Sequence, residues 1–287
     1  MSLAGLQMPQ PMRNMLRDAL APPCGVIVVA SDTSADRAAT MAALAKPIAE
    51  GRVRAGTSAE LQALSQQDCD MLLIDGAMDR RTLEQAFKIA EAGPRIVLGM
   101  DAADTMAAME TLRALRVDRH AIAFGLRAII AVRQARRLCE LCRIPDQARG
   151  SEAALLGVDP GTVIYRAAGC GACDGTGHAG MLSIYETMAV DAALRRLIAE
   201  GGDAAILSRH AFLNTPRLSG SARTLAREGA IPAHIAIDIG RAHMPGASGT
   251  GGDGVHPHLL PSFSQRLDGG ANPPLSAPLH GDRSSIG

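Results

Sequence analysis

At 287 residues the chain is long enough for one or two domains with a buried core. Lysine plus arginine and aspartate plus glutamate stand at 29 each, so no basic footprint for nucleic acid is visible. Aromatic residues are 2% against 47% hydrophobic, which calls for an aliphatic, alanine-rich core with methionine as filler.

In chain order, residues 1–23 form a polar, Met/Pro-rich lead-in with a short helix candidate at Arg13–Leu20. Cys24–Ala30 (CGVIVVA) reads as a buried strand bounded by Pro22–Pro23 and Ser31. SDTSAD follows, and the alanine-rich Ala38–Ala49 reads as a helix. Asp70–Asp75 (DMLLID) is a second strand and Arg80–Ala92 a helix with Leu83, Ala86, Phe87 and Ala90 on one face. Arg95–Met100 is a third strand and Ala103–Leu115 a helix. Alternating β and α elements imply a mostly parallel sheet covered by helices. His120–Leu138 reads as one long helix carrying Ile122, Leu126, Ile129, Ile130 and Arg133 toward the cysteine segment. Asp191–Glu200, Ala204–Phe212, Ser221–Glu228 and Ala233–Arg241 follow as a small helical lobe. The last stretch is rich in Gly, Pro and Ser and reads as a disordered tail, with His256 and His258 solvated in it. The expected divisions are 1–23, an α/β core over 24–136, a cysteine module over 137–186, a helical lobe over 187–243 and the tail over 244–287.

Cys139 and Cys142 form one C-x-x-C pair, Cys170 and Cys173 a second, with 27 residues between them (143–169). Two such turns folded together give a tetrahedral Cys₄ site, the geometry of structural zinc. Gly169, Gly171, Gly175 and Gly177 suit tight knuckle backbones. Two disulfides or free buried thiols are the competing readings. Neither an export signal nor an apolar run of membrane-spanning length stands out, so the expectation is a cytosolic chain with reduced thiols, which favours zinc. Cys24 and Cys69 stand apart and are expected to pack as small hydrophobes.

ARRLCELC, then GCGACDGTGHAG, then SIYE resemble the C-terminal region of the ATPases of type II secretion and type IV pilus assembly. The resemblance spans about Leu6 to His243; Met181 departs from it, standing where the family usually has arginine. It implies a RecA-like core, a tetracysteine zinc element and a closing helical lobe. It also implies an N-terminal domain that supplies arginines to the nucleotide cleft, whereas this sequence is expected to begin almost at the core.

A phosphate-binding loop needs G-x-x-x-x-G-K-[ST]: glycines let backbone N–H groups cradle phosphate, lysine reaches the β and γ oxygens, and the hydroxyl holds Mg²⁺. Set on the family pattern, Ala30 and Ala35 replace the glycines, Asp36 the lysine and Arg37 the hydroxyl, with Ser34 inside the loop. The chain's two lysines, Lys46 and Lys88, lie elsewhere. Gly76 falls where the family carries its catalytic glutamate, and Asp101 where it has a histidine. Asp75 fits the generic pattern of an acid after an apolar strand, a candidate metal ligand. Between Glu50 and Ser65 no acidic pair matches the family's acidic box. The resemblance therefore leads us to expect a vestigial nucleotide site at Ser34, Asp36, Arg37 and Asp75, without Mg-ATP and without catalytic residues. The expected role is an interaction or regulatory subunit that docks on active ATPase subunits or inner-membrane platform proteins, as a homo- or hetero-oligomer. A divergent ATPase retaining weak turnover through Asp75 and Arg37 is the alternative, and a C-x-x-C redox protein a third class.

Overall fold

The computed structural model describes residue 6, residues 8–46 and residues 52–242; the expected tail, with His256 and His258, lies outside them. A six-stranded sheet runs in the order β2-β3-β4-β1-β5-β8. Its members are β1 (Val26–Ser31), β2 (Val53–Thr57), β3 (Met71–Asp75), β4 (Arg95–Asp101), β5 (Leu126–Leu138) and β8 (His178–Ala189). The first five pair in parallel, and β8 closes one edge antiparallel to β5. Central β1 is buried along its whole length, as a β-branched run covered on both faces should be.

The helices α2 (Ser34–Ala45), α4 (Arg80–Ala92) and α5 (Thr105–Ala114) each follow a strand, and each starts on a side-chain cap. Thr33 accepts from the Asp36 amide, Asp79 from Thr82 and Asp104 from Ala107. Around them stand α1 (Gln10–Ala19), α3 (Leu61–Ser65) and α6 (Arg119–Gly125). The lobe comprises α8 (Ala192–Ala199), α9 (Ala204–Ala211), α10 (Leu218–Arg227) and α11 (Ala233–Ala242). Its latter half shares a core with Ala135, Ile184 and α7 (Gly150–Leu156). Phe87 is buried in the main, largely aliphatic cluster.

The expected long helix at His120–Leu138 is wrong. Only residues 120–125 of it are helical, within α6, and the rest is β5, the longest strand of the sheet. LRAIIAVRQA is apolar enough to satisfy either period, and pairing with both β1 and β8 settles it as strand. β5 also crosses the division expected at 136, and β8, from the cysteine segment, joins the main sheet. Edge strand β2 lies in the stretch where only a missing acidic box was noted, and α2 starts four residues before the expected Ala38. Among the described residues no helix is long and apolar enough to cross a membrane.

Several surface carboxyls are held below their ordinary value. Asp79 is lowered first by the Thr82 backbone N–H, Glu60 by the Thr57 N–H, and Asp146 by the Arg166 guanidinium. A carboxyl that is more acidic when folded stabilises fully above its unfolded value, about 4, and loses that contribution as pH falls through the lowered folded value. The urea midpoint should therefore hold steady from neutral pH to about 5 and drop below about 4. A midpoint that rises on acidification through this window would contradict these bonds.

Candidate functional site: the carboxyl-end face of the sheet and a four-thiol cluster

In an open parallel sheet, ligands bind beyond the carboxyl ends of the strands. Here those ends are Ser31 on β1, Asp75 on β3 and Asp101 on β4, and Arg37 from the first turn of α2 reaches all three. Its Nε donates to Asp75 Oδ1 at 3.0 Å and its Nη1 to the Ser31 carbonyl at 2.9 Å. Nη1 also pairs with Asp101 Oδ1. The arginine side chain is 5% exposed, Asp75 17% and Asp101 75%, so the guanidinium is buried beneath one open carboxylate.

Gly99 makes room for this arrangement. A Cβ there would lie 2.1 Å from Asp75 Oδ1 and 3.3 Å from Arg37 Nε, so the ion pair occupies the space a side chain on β4 would take. A neighbouring pair, Arg133 Nε to Asp32 Oδ2 at 3.3 Å, crosses the same face. Arg133 also donates to Ser31 Oγ and to the Ala103 carbonyl.

Of the four expected site residues, the structure brings Arg37 and Asp75 into contact. Asp36 turns toward β5 and accepts the Gln134 N–H at 3.0 Å, while Ser34 is exposed at the helix start. Ala30 is a paired β1 residue and Ala35 lies inside α2. Only Asp32 and Thr33 separate β1 from α2, in place of a wrapping loop. Asp75, the candidate metal ligand, pairs with Arg37. Asp101 stands where the family has a histidine, and its sequence position gives it no role. Its partnership with Arg37 crosses 64 residues and has no local signature.

The second cluster is the cysteine module. The Sγ atoms of Cys139, Cys142, Cys170 and Cys173 lie within 4.8 Å of one another. Cys170–Cys173 is 3.7 Å, Cys142–Cys173 is 3.8 Å and Cys139–Cys170 is 4.0 Å. A disulfide would need about 2 Å. A tetrahedral ion with metal–sulfur bonds of about 2.3 Å spaces its sulfurs by about 3.8 Å, so the thiols already have the edge lengths of a closed S₄ site. The Gly169 N–H donates to Cys142 Sγ, and those of Cys170 and Gly177 donate to Cys173 Sγ. These donors, Cys170 foremost, pull the Cys173 thiol down to about 6, while burial pushes Cys142 up to about 11. Gly177 has φ +71, and a Cβ there would meet Ala167 at 2.6 Å, so the second knuckle closes only with glycine. Cys24 and Cys69 are half-buried outside the cluster, Cys69 against the main core.

A family model for the type II/IV secretion system protein matches residues 37–235. The chain belongs to that family. Over 171 residues it is 30% identical to type II secretion system protein E of Pseudomonas aeruginosa, covering 59% of this chain and 34% of that protein. It is 29% identical over 171 residues to the type IV pilus assembly ATPase PilB of Myxococcus xanthus, covering 57% of this chain and 30% of that one. The match thus spans about a third of these curated relatives' length. Among solved structures, the pilus retraction motor PilT with bound ADP aligns at TM-score 0.56 and 15% identity, over 83% of this chain and 66% of that chain. The ATPase DotB of Legionella pneumophila aligns at TM-score 0.57 and 11% identity, over 83% and 65%. At these identities the likeness is one of fold, and the fold is the RecA-like α/β sheet expected from the sequence.

Gly99→Ala tests the construction of the closed face. The added methyl must separate Asp75 from Arg37 or displace β4, and we expect a loss of roughly 2 kcal/mol in urea unfolding, the scale of overpacking in a tight interior. An unchanged midpoint would mean that the ion pair does not need the space above Gly99.

Proposed function

We propose that this secretion-ATPase relative has lost nucleotide chemistry and serves as an interaction or regulatory subunit of a type II secretion or type IV pilus system. The carrying observation is the buried Arg37, clamped by Asp75 and Asp101 where phosphate and Mg²⁺ would have to sit. Phosphoryl transfer depends on positioning and charge stabilisation: backbone donors around the phosphates, a lysine on the β/γ oxygens, an acid on the metal and a group that orients water. At these positions a two-residue connection replaces the loop, Asp36 bonds to β5, Asp75 is neutralised, and Gly76 offers no side chain. A chain with this fold and a silent site can still present the family's surfaces, so its partners in this reading are active ATPase subunits or inner-membrane platform proteins, in the cytoplasm. Titration calorimetry with millimolar Mg-ATP should give no saturable heat and assays no hydrolysis above background. Saturable binding that disappears in Asp75→Ala would hand the case to a divergent ATPase.

We further propose that Cys139, Cys142, Cys170 and Cys173 hold one structural zinc ion. The all-thiolate donor set and the sulfur spacing support zinc in a closed site with no open position for catalysis. The ion would tie the end of β5 to the start of β8, and its binding is folding free energy, about 10 kcal/mol in small zinc domains. Elemental analysis of purified protein should find one zinc per chain, and Cys170→Ser should release it and loosen the module to proteolysis. Metal-free protein with four readily alkylated thiols would refute the site.

A further inference from the structure

Glu186 is wholly buried on β8, and no ion pair is among its contacts in the described structure. Its Oε1 accepts the Thr105 N–H at 3.0 Å and the Thr105 hydroxyl at 2.6 Å, and its Oε2 accepts the Leu218 N–H at 2.6 Å. Thr105 is the first residue of α5 and Leu218 the first of α10. One carboxylate therefore takes the free amides of two helix starts that lie more than a hundred residues apart in sequence. The positive ends of two helix dipoles and three donors offset the cost of burying it. For α10 this contact stands in for a cap, because its N-cap residue, Arg217, makes no side-chain capping bond.

The two helices belong to different functional parts. α5 follows directly on Asp101, which pairs with Arg37, and on Ala103, whose carbonyl receives Arg133. At its other end α10 is held by the cysteine module: Arg143 donates to the carbonyls of Glu228 and Gly229 and stacks 4.7 Å over Tyr165. Beside Glu186, the Ser221 hydroxyl of α10 bonds the Tyr185 carbonyl at 3.1 Å.

We propose that Glu186 is a positioning residue that couples the helical lobe to the closed nucleotide face, so that the starts of α5 and α10 hold or loosen as one unit. The proposal does not depend on the loss of ATP chemistry, because an active site on the same face would be coupled to the lobe in the same way. Communication between sites requires a shared element whose state both sides bias, and the effect must be reciprocal.

Hydrogen exchange on the full-length chain distinguishes coupling from plain stabilisation. Glu186→Gln keeps the size but has one acceptor oxygen for two helix starts, so its amide group must face one of them donor to donor. Uncoupled helices would then show faster exchange at one start only. Coupled helices should show it at both 105–108 and 218–221, by about tenfold, as expected for loss of a charged hydrogen bond. Exchange in β1 and β4 should not change. Thr105→Val removes only the hydroxyl donor on α5 and should still speed exchange at 218–221, by about tenfold, the low end for a hydrogen bond to a charged group. Acceleration at a single helix, uniform acceleration throughout the sheet, or a Thr105→Val variant with unchanged exchange at 218–221 would each overturn the proposal. If Glu186→Gln does not fold, the Thr105→Val result decides alone.

Discussion

The carboxyl-end face of the sheet rests on one guanidinium. Arg37 is buried at the carboxyl end of the central strands, and its charge is tolerable there because Asp75 and Asp101 approach from β3 and β4 while the Ser31 carbonyl takes a further N–H. Removing either side of such a pair leaves an uncompensated charge in a poorly hydrated site, which costs several kcal/mol. The pair also fixes where α2 begins, because Arg37 stands in its first turn just beyond the Thr33 cap. The absent side chain at Gly99 is what lets these groups meet over β4.

This arrangement exchanges one kind of electrostatics for another. A phosphate-binding face keeps donors and positive charge unpaired so that a polyanion and its metal can complete them. Here the charges are completed internally, and a ligand would have to break an ion pair before it gained a contact. The fold survives because the sheet is stabilised by aliphatic burial that does not involve these residues.

At the Leu138–His178 end of the long β5–β8 ladder, beyond the carboxyl ends of the central strands, the constraint is sulfur geometry. Backbone amides aimed at Cys142 and Cys173, together with the glycines of the second knuckle, bring four thiols to the spacing a tetrahedral ion requires. Arg143 and the backbone bond from Leu138 to Ala230 connect this module to the turn between α10 and α11. Glu186 receives the start of α10. The lobe is thus gripped from the sheet and from the module.

The sequence by itself determined the alternation of strands and helices, the family, and the four cysteines, because these depend on local composition and on short spacings. Two matched C-x-x-C pairs carry their geometry within a few residues. It could also register that Ala30, Ala35, Asp36 and Arg37 fail the phosphate-loop pattern. Only the tertiary structure decided that 126–138 is a strand, since an apolar run long enough for a helix becomes β only through neighbours that supply its hydrogen bonds. The same holds for Arg37 with Asp75 and Asp101, and for Glu186 with Thr105 and Leu218. These contacts join residues tens of positions apart on different elements, and no local pattern records which buried charge will find which partner.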